Sequence, residues 1–232
     1  MIRLRKAAER GASRLDWLDS RHSFSFAEYY DPQQMGYRAL RVINEDRIAP
    51  GAGFPPHPHR DMEIITYVLA GAVEHRDSLG NGSVIRPGEI QRMSAGTGIV
   101  HSEFNASVSE PLHLLQIWIL PGERGLKPGY EQRAFDRAVA GGRFAALAGP
   151  AGSGAPVTIH QDATLAVAML EAGQSASHRL AGERHVWLQI ARGAVRLDGE
   201  RLSAGDGAAV SGVQELAIAA EEPAEALLFD LA

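Results

Sequence analysis

The residues best suited to chemistry fall into two short clusters. His57-Pro58-His59 sets two imidazoles at i and i+2, and His101-Ser102-Glu103 repeats that spacing with one imidazole and one carboxylate. On a β-strand, side chains two residues apart share a face, so each cluster aims both polar groups in one direction. Pro58 then points away and stiffens the backbone between the two histidines. Two such strands side by side would bring three nitrogens and one oxygen to a common point. That mixed donor set suits one divalent transition-metal ion, with Fe, Mn, Co, Ni, Cu and Zn all chemically acceptable, at roughly 2.0–2.2 Å from its ligands. Four protein ligands leave positions open for substrate when the metal takes five or six, as iron does readily. A lone H-x-H says little. Two i,i+2 pairs, separated by enough chain for several strands and flanked by Gly turns, say much more than a set of ordinary packed histidines would.

Strands must position such a set, and the sequence is written in strands. Gly (25) and Pro (12) recur between short apolar runs, the rhythm of an all-β sandwich or barrel. Met62 to Leu69 is rich in β-branched and aromatic residues and closes at Ala70-Gly71; Ala72 to Arg76 resumes as a strand, and residues 77–82 read as a hairpin turn. His113 to Leu120 is a near-continuous apolar run, the mark of a strand covered on both faces. Gln116 stands inside it and needs a polar partner if buried. The best helix candidate is residues 130–140. Residues 138–156, dominated by Ala and Gly, read as a junction and a hairpin turn. Beyond them the order of the first half partly returns: TYVLAGAV (66–73) resembles LQIARGAV (188–195), and RPGEIQRMSAG (86–96) resembles SAGDGAAVSG (203–212). A duplicated barrel is the economical explanation, with a first unit at 1–135 and a second at 136–232.

Composition removes other classes. The chain has 232 residues, 45% of them hydrophobic, ample for a core. A net charge of −5 argues against direct nucleic-acid binding, which calls for a basic face. Arg3, Arg5, Lys6 and Arg10 alternate with apolar residues and suit an exposed strand or turn. There is no cysteine, which excludes disulfides, thiolate ligands and cysteine nucleophiles and fits a cytoplasmic setting. The opening MIRLRKAAERG lacks the apolar stretch of a secretory signal, and no apolar run is long enough to span a bilayer.

GFPPHPHRDMEIITYVLAG (53–71), EHRDSLGN (74–81) and GEIQRMSAGTGIVHSEFN (88–105) resemble the pirin family of bicupins, as does RHSFSFAEYYDP (21–32). HLLQIWILP (113–121) and YEQRAF (130–135) are similar to its bacterial branch, which includes pirin-like quercetin dioxygenases. The likeness is strong over 14–135 and looser beyond, at HQDATL (160–165), around Trp187 and at LLFDL (227–231). The resemblance implies two tandem cupin (jelly-roll-like) β-barrels, with one metal, Fe(II) favoured, in the first. It assigns the ligands to His57, His59, His101 and Glu103. Glu63 is the competing carboxylate: it shares the parity of His57 and His59, and a glutamate after H-x-H often ligates in related barrels. We expect Glu63 instead to form hydrogen bonds near the site, with His75 and Gln116 as further supporting residues.

The second unit lacks such a set. His178 could mimic the first histidine, but Leu180 stands at i+2 and no H-x-E follows; His160 and His185 have no ligand-like neighbours. Phe24, Phe26, Tyr29 and Tyr30 are expected in core packing, and Gly96 and Gly98 in tight bends before the second ligand strand. The resemblance implies that the protein opens quercetin-like flavonols with O2, releasing carbon monoxide, with Glu103 accepting the substrate's hydroxyl proton. A redox-responsive module binding a protein partner, or a cupin isomerase or hydrolase acting on another small aromatic, would use the same ligands.

Overall fold

The computed structural model describes all 232 residues. The first half runs β1 (Ile2–Arg5), β2 (Gly11–Leu15), β3 (Leu18–His22), β4 (Leu40–Ile48), β5 (Gly53–His59) and β6 (Glu63–Ala70). It continues through β7 (Val73–Asp77), β8 (Gly82–Ile85), β9 (Glu89–Ser94), β10 (Ile99–Asn105), β11 (Leu112–Ile119) and β12 (Gly129–Ala134). The second half comprises β13 (Ala145–Gly149), β14 (Val157–Thr158), β15 (Ala163–Leu170), β16 (Ser175–Arg179) and β17 (His185–Arg192). Then follow β18 (Ala194–Leu197), β19 (Glu200–Ser203), β20 (Gly207–Ser211), β21 (Glu215–Ala220) and β22 (Ala224–Leu231). Helical backbone is confined to two short 3-10 turns, Ala7–Glu9 and Arg137–Ala140.

The strands form two copies of one architecture. A seven-stranded sheet ordered β12-β9-β6-β11-β4-β3-β2 faces a four-stranded sheet ordered β5-β10-β7-β8. In the second half, β1-β20-β17-β22-β15-β13-β14 stands with β16-β21-β18-β19. The duplicated barrel read from the repeats is this pair. Alternation divides each large sheet into two faces. In β6 and β11, Ile65, Tyr67, Leu115 and Ile117 point outward from the first barrel. They pack with Leu165, Trp187, Leu227 and Phe229 of the second in a shared apolar layer of 24 buried residues. At roughly 1.5–3 kcal/mol for each large apolar side chain removed from water, this layer locks the halves back to back. The other faces, carrying Ile64, Thr66, Val68, Leu114, Gln116 and Trp118, line the first barrel's interior.

Three local expectations are corrected. Residues 130–134 form strand β12 and not a helix: their alternating side chains cover the edge of β9, from Gly129 opposite Ser94 to Ala134 opposite Glu89, and an open edge would otherwise remain. Only Arg137–Ala140 turns, as 3-10. The start of the chain crosses the expected division at 135/136, because Ile2–Arg5 pairs with Gly207–Val210 at the edge of the second sheet. The basic cluster does lie on a strand and a turn, but of its four residues only Arg3 is exposed. Arg5 is buried and donates to the Tyr29 hydroxyl at 2.7 Å, and Arg10 pairs with Glu45 at 2.9 Å.

Candidate metal centre

β5 and β10 are antiparallel neighbours, with His57 directly opposite His101 and His59 opposite Ile99. The two i,i+2 clusters therefore sit on adjacent strands with their imidazoles on one face. The rings of His57, His59 and His101 lie 4.5–4.8 Å apart, centroid to centroid, and one nitrogen from each falls within 4.8 Å of the others. Two backbone devices permit this. Gly96 and Gly98 adopt φ of 47° and 139° in the bend before β10, conformations side chains disfavour. At Gly53 a β-carbon would collide with the backbone of Glu103 and Phe104, beside the register shift between His101 and Glu103.

The hydrogen bonds determine which nitrogens are free. His57 Nδ1 lies 2.8 Å from the Pro55 carbonyl oxygen, so it donates there and its Nε2 keeps a lone pair. Asp77 Oδ2 lies 3.2 Å from His75 Nε2, and that carboxylate also accepts from Asn81 and from the backbone N–H of Leu79. Burial works against the charge on Asp77, but these hydrogen bonds outweigh it and hold its pKa below the usual value. His75 Nε2 thus donates, His75 Nδ1 is left as an acceptor, and His101 Nδ1, 3.5 Å away, supplies the hydrogen. His101 Nε2 is then bare, buried and without a partner. A buried acceptor left unsatisfied costs about 1–3 kcal/mol, and a metal ion would remove that cost. Burial, reinforced by the neighbouring imidazoles, lowers His59 to about 4 and His101 to about 3. Both are neutral near pH 7, the form a metal requires. The donor set therefore fits a transition-metal ion.

Glu103 follows His101 on the same face and is buried. Gln116 Nε2 donates to its two oxygens at 2.7 and 2.8 Å, and Thr66 Oγ1 donates to Oε1 at 3.3 Å. Its nearest donor grouping is with His101 and His75, within 4.8 Å. His75 and Gln116 thus stand against His101 and Glu103 themselves. Glu63 does not. It is buried on the outward face of β6, where it accepts from Ser94 Oγ at 2.9 Å and lies 3.4 Å from His160 Nδ1. The parity count from His57 fails because Asp61, at φ 49°, breaks the alternation between β5 and β6.

The three histidines, Glu103 and Gln116 border a cavity of about 590 Å³, within the usual range for small-molecule sites. Leu18, Phe26, Phe54, Ile64 and Trp118 supply apolar wall, and half-exposed Leu15 stands at its rim. Of the four aromatics expected in core packing, Phe24 is fully buried against Trp187 and Tyr29 stacks over His22. Tyr30 is 72% exposed, and Phe26 turns into the cavity against Trp118, so those two depart from the expectation.

Sequence reasoning missed the polar groups of the facing sheet: Ser13, Ser20, His22, Asn44 and Asp46. The signal was there in alternation, with Ser20 and His22 following the parity of Leu18, and Asn44 and Asp46 that of Val42. Asp46 is fully buried, and burial pushes its pKa up to about 7; the Ser20 hydroxyl opposes this, while the negative charges of Glu103 and Glu45 reinforce it.

Two barrels of one architecture, joined back to back, with a histidine cluster on the cavity of the first, define a bicupin. Residues 3–119 match the Pirin family and residues 146–231 the quercetinase C-terminal cupin domain. The chain belongs to the pirin family. It is 52% identical over 231 residues to quercetin 2,3-dioxygenase of Escherichia coli (strain K12), covering 100% of this chain and 99% of that protein. It is 46% identical over 233 residues to putative quercetin 2,3-dioxygenase PA1210 of Pseudomonas aeruginosa, over the full length of both. Among solved structures, the bacterial pirin YhhW from Escherichia coli in complex with nickel(II) superposes with a TM-score of 0.93 at 50% identity, covering 100% of this chain and 99% of that one. That complex and the histidine cluster support a metal ion as cofactor. No helix of the chain is long and apolar enough to cross a membrane.

Proposed function

We propose that this protein is a metal-dependent dioxygenase that opens the heterocyclic ring of quercetin-like flavonols with O2 and releases carbon monoxide. The observation that carries the reading is the convergence of His57, His59 and His101, His101 with a bare buried nitrogen, on a cavity large enough for a planar aromatic. The names of its full-length relatives support the same activity. In this reading His57, His59, His101 and Glu103 hold one divalent ion, Fe(II) favoured, with Ni, Zn, Mn, Co and Cu as alternatives. When bound, the ion supplies charge stabilisation and orientation for a substrate hydroxyl beside its carbonyl.

The chain's own residues do the rest. A Glu103 oxygen takes the proton of that hydroxyl, and the Gln116 amide and Thr66 hydroxyl keep the carboxylate in place. The His75–Asp77 pair holds the His101 ring in one tautomer. Phe26, Phe54 and Trp118 exclude water from the flat faces of the substrate. Both atoms of O2 enter the ring-opened product, and one ring carbon leaves as carbon monoxide. A cytoplasmic location belongs to the same reading and rests on the cysteine-free sequence.

The test is anaerobic reconstitution of metal-free protein with Fe(II), and separately with each other divalent metal, followed by quercetin and O2. We expect carbon monoxide in step with quercetin consumed, dependent on bound metal. Fully loaded protein that consumes no quercetin with any metal, or consumes it without carbon monoxide, would refute the reading.

A further inference from the structure

The wall of the cavity facing the histidines is built from polar groups joined in a chain. Asn44 Oδ1 lies 2.8 Å from His22 Nδ1, and His22 Nε2 lies 2.9 Å from Ser13 Oγ. An amide oxygen only accepts, so His22 Nδ1 carries the hydrogen and Nε2 accepts from the Ser13 hydroxyl. This use of His22 leaves the Asn44 NH2 group and the Ser13 oxygen lone pairs to the cavity. Beside them Ser20 donates to Asp46, which lines the same space. The strand register that makes the wall places His22 opposite Asn44 and Asn44 opposite Gln116. In the second barrel the corresponding register holds Ala146, Ala166 and Leu228. A barrel of this strand order therefore folds without His22, Asn44 or Gln116 at these positions, and burying such groups costs free energy unless they find partners.

We propose that Ser13, His22, Asn44 and Asp46 form a hydroxyl-recognising subsite that binds the ring hydroxyls of a polyhydroxylated aromatic substrate, on the sheet opposite the three imidazoles. The wall offers both donors and acceptors, which suits hydroxyls, since each of them is both. An anionic group would meet Asp46 and Glu103, and a bare hydrocarbon ring would leave Asn44 and Ser13 unpartnered. The subsite deepens the flavonol reading by naming what selects among aromatic substrates.

The experiment measures anaerobic equilibrium binding to metal-loaded protein. The probes are quercetin and galangin, the flavonol lacking the hydroxyls on the pendant ring. Wild type is expected to prefer quercetin about tenfold, the scale of one or two hydrogen bonds. Asn44→Ala, which installs the residue of the second barrel, and Ser13→Ala should each reduce that preference to about threefold or less, with metal content unchanged. If Asn44→Ala does not fold, Ser13→Ala on the edge hairpin carries the test. Equal binding of the two flavonols by wild type, or an undiminished preference in the folded variants, overturns the subsite. If wild type binds neither flavonol, a panel of catechols and hydroxycoumarins with their deoxy forms decides. A hydroxyl preference present in wild type and lost in the variants sustains the subsite while the flavonol reading fails; no such preference anywhere in the panel overturns it.

Discussion

The two barrels share a strand order, apart from the outermost strands of their large sheets, where β2 is antiparallel to β3 and β14 is parallel to β13, but they carry opposite interiors. In the first, one register across the large sheet reads Gln91, Thr66, Gln116, Asn44 and His22. In the second, the same register reads Ala208, Leu188, Leu228, Ala166 and Ala146. The small sheets differ in the same way. His101 faces His57 in the first, and Leu216 faces His178 in the second; Glu103 faces His75 in the first, and Ile218 faces Leu197 in the second. The second barrel closes into a continuous apolar core of 18 residues. The apolar interior of the first is split into groups of seven and four, and the histidine cavity is bordered by both. One copy keeps stability and the other gives some of it up for a site, as expected where buried polar groups are retained in a fold that can do without them. His178, the one histidine held in common, points to the same conclusion: its Nε2 is taken by Asp230 at 2.6 Å.

Removing ligands should break the contrast most sharply. His59→Ala in the first barrel should lower metal affinity beyond the ~10–100-fold typical of supporting residues, while His178→Ala in the second leaves metal content unchanged; metal analysis after dialysis checks both. Glu103→Gln should lower kcat by roughly 10²–10⁴-fold, the scale of a lost general base, with Tm little changed in a thermal melt. Full activity would remove Glu103 as the proton acceptor.

Smaller effects sharpen the comparison. Gln116→Leu makes the first barrel match Leu228 of the second and frees the Glu103 carboxylate. We expect about tenfold weaker metal binding by isothermal titration. Asp46 supplies a pH test. Its pKa is raised to about 7 in the fold, so the folded state holds a proton that the unfolded chain has released. That contribution to stability is complete below the unfolded value and is lost as pH rises through about 7. Asp46→Asn should therefore gain stability relative to wild type as pH rises from about 4 to about 7, by at most about 4 kcal/mol. Parallel melting curves across that range would contradict the assignment.

The two i,i+2 clusters, as neighbours on one face, were legible because each is a local pattern: i,i+2 on a strand fixes a common face whatever the rest of the fold does. The duplication was legible through Gly71 and Gly193, which end equivalent strands. The wall opposite the histidines was not, because His22, Asn44 and Gln116 meet only through pairing among three strands drawn from distant parts of the chain. Glu63 was misplaced by carrying strand parity across a turn with positive φ at Asp61. The strand at 129–134 was hidden by a composition that also suits a helix; what decided it was the uncovered edge of β9, a tertiary demand absent from the local sequence.

In the proposed holoprotein one metal ion sits in the first barrel and none in the second. Anomalous diffraction from crystals of metal-loaded protein, recorded at the absorption edge of the metal, tests it directly. We expect a single peak per chain, within coordination distance of His57, His59, His101 and Glu103. A peak beside His178 and Asp230, or a loaded chain with no peak among the three histidines, would contradict it.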